Sequence, residues 1–126
     1  MKYLLDTHVL LWAAAGKLSP SAAKYVEDES NDLYFSSVSI WEVVIKRHLN
    51  RKDFRVEPLL FYQGLRSAGY GELPMTSKHA LAVERLPMLH KDPFDRLLIA
   101  QAISEELIFL TADEIVAQYT APVIFV

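Results

Sequence analysis

The chain contains no cysteine. That excludes a disulfide framework, a thiolate zinc site and a cysteine nucleophile together, and it is compatible with a reducing cytoplasm. There is no run of about 18 apolar residues, the length a membrane span needs. The N-terminus also lacks a basic segment followed by a long apolar stretch, so neither a signal peptide nor a membrane helix is expected. Histidines are few, and none has a second histidine at ligand spacing. An excess of positive charge is missing too, the net charge being −3. This argues against nucleic-acid binding through bulk charge alone. It leaves a nuclease open, because an acidic active site lowers the net charge by itself. No internal repeat, low-complexity tract or linker interrupts the chain. What is present is apolar substance, 52% of 126 residues. That is enough for a sizeable core, and a single domain over residues 1–126 is expected.

Short apolar runs alternate with helical stretches. YLL (3–5) reads as a buried strand and residues 9–15 as the apolar side of a helix, with Asp6 between them. Ser19-Pro20 is a helix start, a serine cap before proline at the first helical position. DLYFSS (32–37) is a second strand, and SIWEVVIKRHLN (39–50) has Ile40, Val43, Val44 and Leu49 at helical spacing. PLLFYQGLRSAG (58–69) is a helix stopped by Gly69 and Gly71. GELPMT (71–76) holds a very short strand, and SKHALAVERL (77–86) is a helix that ends at Pro87. DPFDRLLIAQAISEE (92–106) is the clearest helix, entered through an acid and a proline. LIFLT (107–111) is a strand, ADEIVAQY (112–119) a short helix and PVIFV (122–126) a last strand. The alternation predicts a mostly parallel sheet with helices on both faces.

Sites in such sheets form at the carboxyl ends of the strands. Asp6 follows the first strand, Glu42 opens the helix after the second, Asp92 and Asp95 open the long helix, and Asp113 follows LIFLT. Each acid taken singly is also what a helix start favours, since carboxylates accept first-turn N–H groups and meet the positive end of the dipole. Ser39-Ile40-Trp41-Glu42 even has a capping-box pattern. Together the acids mean more. Carboxylates gathered on one rim repel and raise one another's pKa, so a cation is needed. All-oxygen ligands without cysteine or paired histidines point to Mg²⁺ or Mn²⁺ rather than zinc. A metal-bound water attacking a phosphodiester is the natural reaction.

LLDTHVLLW (4–12), SSVSIWEVVIK (36–46), HKDPFDRLLIAQA (90–102) and LTAD (110–113), in that order, resemble the PIN-domain nucleases, and within them the VapC-type toxins of toxin–antitoxin pairs. The resemblance covers nearly the whole chain. It implies a PIN-like three-layer α/β/α sandwich and a catalytic, metal-binding quartet of Asp6, Glu42, Asp95 and Asp113. It also implies Mg²⁺ or Mn²⁺ as cofactor and cleavage of single-stranded RNA, often within structured RNA. Its partners would be a cognate antitoxin, whose tail wraps the nuclease and places a basic side chain among the acids, and a second copy of the chain in a homodimer. Asp6 and Asp95 would be direct ligands. Glu42 and Asp113 would ligate through water or orient the attacking water, one of them accepting its proton.

Other residues have two readings each. Thr7, Ser37, Arg96 and Thr111 are candidates for substrate contact. Their plain alternatives are capping for the hydroxyls and a solvent-facing position for Arg96. Asp92 is read first as a cap and then as a group behind the ligands. Lys46 is by default an i,i+4 partner of Glu42, with an electrostatic role toward that acid as the alternative. His8 adjoins the site but is not read as a ligand, and His48, His79 and His90 are read as surface or cap residues. KRHLNRK (46–52), with Arg55 beyond it, either contacts RNA phosphates or is a solvated helix end. Trp12, Trp41, Phe61 and Tyr62 are read as core or subunit interface, with base stacking as the lesser alternative.

Two other functions compete. One is a non-catalytic PIN-fold RNA- or protein-binding module, which an incomplete quartet would favour and a complete one disfavours. The other is a Mg²⁺-dependent phosphatase of the haloacid-dehalogenase type, which needs a second aspartate two residues after Asp6, where this chain has His8.

Overall fold

The computed structural model describes residues 1–49, 54–119 and 122–126. Its strands are β1 (Lys2–Leu5), β2 (Asp32–Ser36), β3 (Gly71–Leu73), β4 (Ile108–Thr111) and β5 (Val123–Phe125). Its α-helices are α1 (Thr7–Ala14), α2 (Pro20–Val26), α3 (Ser37–His48), α4 (Pro58–Ser67), α5 (Ser77–Ala82) and α6 (Pro93–Ser104). All strands pair in parallel, in the order β3-β2-β1-β4-β5. No helix among the described residues is long and apolar enough to cross a membrane.

Side chains alternate across a strand, and here both faces are covered. Tyr3 and Leu5 of β1, Phe35 of β2 and Leu110 of β4 pack with Val9 and Leu10 of α1 and with Phe61 and Leu65 of α4. Leu4 and Phe109 join Val38 of α3 and Leu98, Ile99 and Ala102 of α6 in a second cluster. A strand buried on both faces has no polar side to show, which is why the inner strands read as unbroken apolar runs.

The punctuation follows local chemistry. Ser19 caps α2 by accepting the Ala22 N–H, with Pro20 at the first position as expected. α4 ends with Gly69 in the left-handed region, φ +93°, while Tyr70 N–H returns to Leu65 O at 3.1 Å, a Schellman closure. Gly71 is no part of that stop. It opens β3, where a Cβ would lie 2.8 Å from the Tyr34 ring.

Three expected elements differ. α3 begins at Ser37 rather than Ser39, capped by Ser36, whose Oγ accepts the Val38 N–H. The helix expected over 77–86 closes as α5 plus a 3₁₀ turn, Val83–Arg85, because Leu86 must be extended before Pro87. The helix expected over 112–119 is a turn and one 3₁₀ segment, Val116–Gln118. The chain must come back within a few residues to lay β5 beside β4, and short connectors favour 3₁₀ geometry. Asn50, Arg51 and Lys52 of the basic run lie outside the described residues.

Candidate active site

From β1 the chain first builds one side of the sheet, through β2 and β3, and then the other, through β4 and β5. The strand order therefore reverses between β1 and β4, and a crevice opens at their carboxyl ends. Leu5 pairs with Leu110. One residue on, the Asp6 N–H donates to Leu110 O at 2.9 Å, which sets Asp6 beside Thr111. The Thr111 hydroxyl donates to Asp6 Oδ2 at 2.6 Å and accepts the Asp113 N–H at 3.0 Å. Asp6 Oδ1 accepts the His8 N–H at 3.3 Å, so the same carboxylate caps α1.

Glu42 lies in the second turn of α3, with 2% of its surface exposed, as for Asp6. Its Oε2 meets Lys46 Nζ at 2.8 Å. Its Oε1 is buried and has no hydrogen-bond partner among the described residues. Asp95 is the third residue of α6. Asp92 caps that helix, its Oδ1 accepting from Phe94 N (2.8 Å) and Asp95 N (3.3 Å). Asp113 Oδ1 accepts the Ile115 and Val116 N–H groups. At 36% exposure its side chain forms the outer rim.

The acids act on one another electrostatically. Burial raises the Asp95 pKa, and repulsion from Asp6, Asp92, Glu42 and Asp113 adds to it, up to about 8. Burial also raises Asp6, and the Glu42 charge adds to this, against the Thr111 hydrogen bond and His8. Burial works against the charge on Asp113 as well. There, hydrogen bonds from His90 and from the Ile115 and Val116 N–H groups prevail and hold it below its ordinary value. A buried carboxylate oxygen without a donor, in a cluster whose acids repel, suits a divalent cation. The donors are all oxygen, which favours a hard ion. Asp6, Glu42 and Asp95 are the residues that would hold it, and Asp113 adjoins them.

His90 is neither a surface nor a cap residue. Its Nδ1 accepts the Asp92 N–H at 3.0 Å, which leaves the ring hydrogen on Nε2. Nε2 lies 3.0 Å from Asp113 Oδ2, to which it donates, and 3.2 Å from Asp95 Oδ2. The three groups lie within 4.8 Å of one another, a spacing compatible with a metal ion. In this tautomer, however, the imidazole is a donor that ties the two acids together. A histidine two residues before a capping Asp-Pro was the available signal.

Several secondary candidates sit elsewhere than expected. Arg96 faces neither solvent nor the crevice. It is buried, with its guanidinium on Pro87 O (3.0 Å), Val83 O (3.3 Å) and the Tyr119 hydroxyl (3.3 Å). It thus anchors the segment that carries His90. Arg96→Ala is expected to destabilise the fold by about 3 kcal/mol, since it strands buried acceptors. Chemical denaturation of the variant beside Arg96→Lys checks this, with the lysine retaining part of the loss. Ser37 is not the cap of α3; its Oγ accepts the Met75 N–H at 3.0 Å. The Ser39–Glu42 capping pattern lies inside α3, where the Ser39 hydroxyl pairs with that of Thr7 at 2.8 Å. Thr7 is fully buried in that pair.

Thr111, also buried, positions Asp6 rather than facing the crevice. Thr111→Val keeps the shape and removes the hydroxyl. It is expected to weaken Mn²⁺ binding about tenfold, read by calorimetric titration, with Thr111→Ser close to the parent. His79 is a cap but not a surface group. It is 2% exposed, its Nδ1 accepts the Thr76 N–H, and Nε2 pairs with Glu105 at 2.8 Å. Lys46 and Asp92 take the ion-pair and cap positions expected of them. His48 is exposed at the end of α3. Of the four aromatics, Phe61 is buried and Tyr62 packs its ring on Phe35, whereas Trp12 and Trp41 are exposed.

The PIN-domain family model matches residues 3–121. Among solved structures, the chain is similar to VapBC2 from Rickettsia felis bound to a DNA fragment from their promoter, with TM-score 0.72 and 14% identity over 100% of this chain and 99% of that one. It is also similar to DNA-bound VapBC from Salmonella typhimurium, with TM-score 0.71 and 15% identity over 99% and 98%. A third likeness is to VapBC-1 from nontypeable Haemophilus influenzae, with TM-score 0.54 and 15% identity over 90% and 87%. At these identities the likeness is one of fold, the PIN-like three-layer α/β/α sandwich with a parallel sheet. No curated protein matches the chain by sequence.

Proposed function

Because the chain belongs to the PIN-domain family, whose members are generally nucleases, we propose that it is a Mg²⁺- or Mn²⁺-dependent endoribonuclease and the toxin of a toxin–antitoxin pair. One observation carries the metal-dependent reading: Glu42 Oε1, buried and without a partner among the described residues, in a group of repelling acids with buried Asp6 and half-buried Asp95. The VapBC complexes among the similar structures support the toxin role and a cognate antitoxin as partner. The homodimer rests on the sequence resemblance.

A divalent ion bound there supplies an activated water and neutralises the charge that develops on the phosphate. The chain's own groups do the rest. Thr111 and the first turn of α1 hold Asp6 rigid, so its position is fixed before substrate arrives. Lys46 engages Glu42 Oε2 and leaves Oε1 facing inward. Asp113, whose side chain is 36% exposed at the rim, orients the attacking water and accepts its proton. His90 Nε2–H fixes Asp113 Oδ2 relative to Asp95.

The test is incubation of antitoxin-free protein with single-stranded RNA in Mg²⁺, in Mn²⁺ and in EDTA, beside Asp6→Asn. Cleavage that needs both the metal and Asp6 is expected. Folded protein that cuts no RNA under any of these conditions would favour the non-catalytic module. The phosphatase reading lacks its second acid, since position 8 is histidine.

A further inference from the structure

α1 buries Thr7, Val9 and Leu10 against the sheet. His8 and Trp12, one helical turn apart, therefore share its outward side. Their ring centroids are 6.3 Å apart, with the planes tilted by 44°. Trp12 is 38% exposed, an unusual place for so large an apolar ring that the core does not use. Both rings open onto a cleft of about 350 Å³, whose other walls are Asp6, Ala112 and Asp113. The cleft thus leads from an aromatic wall directly to the acids.

The chemistry of these walls selects what enters. Among the described residues no lysine or arginine lines the cleft, so its aromatic end offers stacking and no positive charge of its own for a phosphate. A planar, uncharged ring that stacks on indole is compatible with it, and the volume lies at the lower end of small-molecule sites. Unpaired bases stack on aromatic side chains in this way. A base held there would have its own backbone phosphate beside Asp6.

We propose that this cleft is a nucleobase subsite in which Trp12, backed by His8, stacks on one unpaired base next to the scissile phosphate. The inference rests on the nuclease reading and adds to it why single-stranded RNA is preferred: a base locked in a duplex cannot reach the indole. Trp12 is a binding residue here, and its loss acts on the substrate rather than on the acids.

The experiment pairs a protein change with an RNA change. Trp12→Ala and Trp12→Phe are assayed on a short single-stranded RNA and on versions carrying one abasic nucleotide at successive positions. The alanine variant is expected to lose about tenfold in kcat/KM, and phenylalanine to keep most of it. An abasic nucleotide at one position beside the cut costs the wild type a similar factor and costs Trp12→Ala nothing further. Mn²⁺ affinity and melting temperature stay at wild-type values. The chain has two tryptophans, so a Trp41→Phe background leaves Trp12 as sole reporter. Its fluorescence is expected to be quenched by the single strand and not by the same sequence as a duplex.

Wild-type cleavage by Trp12→Ala, or an abasic penalty that persists undiminished in that variant, overturns the subsite while leaving the nuclease reading intact. So does a variant that cuts RNA normally but no longer binds a protein partner, which assigns the ring to a protein interface. A wild-type protein that cuts no RNA removes the nuclease reading itself, and the subsite with it.

Discussion

Asp95→Asn is expected to lower RNA cleavage by a factor on the order of a thousand or more, and at the same time to make the metal-free protein more stable at pH 8. The two effects have one cause. Asp95 is pressed by burial and by the charges of Asp6, Asp92, Glu42 and Asp113. In the metal-free protein its ionised form is a burden, and an amide of the same shape relieves it. In the proposed metal-dependent enzyme the same charge would hold the cation, and an amide would not replace it. Initial rates in Mn²⁺, and melting curves in EDTA at pH 8 for the variant and its parent, measure both effects. A variant that loses activity and also stability would mean that Asp95 serves the fold rather than an ion.

The second large effect is a stability that falls with rising pH until metal is added. The folded-state pKa of Asp95 is about 8 against an ordinary 3.8. The folded chain therefore keeps a proton that the unfolded chain gives up. A group raised in this way stabilises the protein fully below its unfolded value and less and less as pH climbs to the folded one. The window thus runs from about pH 4 to about pH 8. Asp6 is raised by burial and adds in the same direction. Asp113 is lowered, so its contribution is lost only on acidification, below the ordinary carboxylate range, and does not offset the trend.

Between about pH 5 and pH 8.5, metal-free protein is expected to lose stability on the order of a few kcal/mol. With millimolar Mn²⁺ the slope flattens or reverses, because binding to the folded state strengthens as the acids lose their protons. Denaturation in EDTA and in Mn²⁺ across that range decides the matter. A flat EDTA profile would show that the acids do not burden one another.

Much of this was legible in the chain, and the limits have physical reasons. Buried parallel strands write themselves as short apolar runs, so β1, β2 and β4 stood out, and caps such as Ser19 and Asp92 depend on neighbours two or three residues away. Asp6, Asp95 and Asp113 stood out because each follows a strand or opens a helix, the places that a parallel sheet brings to one rim, whereas Glu42 lies a turn further into α3 than its sequence position suggested. What could not be read was the company of side chains far apart in sequence. Ser39 meets Thr7 across 32 residues, and Thr111 meets Asp6 across 105. Arg96 looked solvent-facing from its first-turn position, and only the folded 83–90 segment supplies the carbonyls that bury it. His90 looked idle until the turn before α6 aimed it at two acids. Asp6 caps α1 with one oxygen and accepts the Thr111 hydroxyl with the other, so a capping position does not exclude a place among the clustered acids.

The most direct test of the central claim, that the buried acids form a divalent-cation site, is titration of metal-free protein with Mn²⁺, followed by loss of the free-ion paramagnetic resonance signal. Saturable binding by the wild type that vanishes in Asp6→Asn and in Asp95→Asn is the expected result. Wild-type protein that takes up no Mn²⁺ at millimolar concentration, or variants that bind it as the wild type does, would contradict the claim.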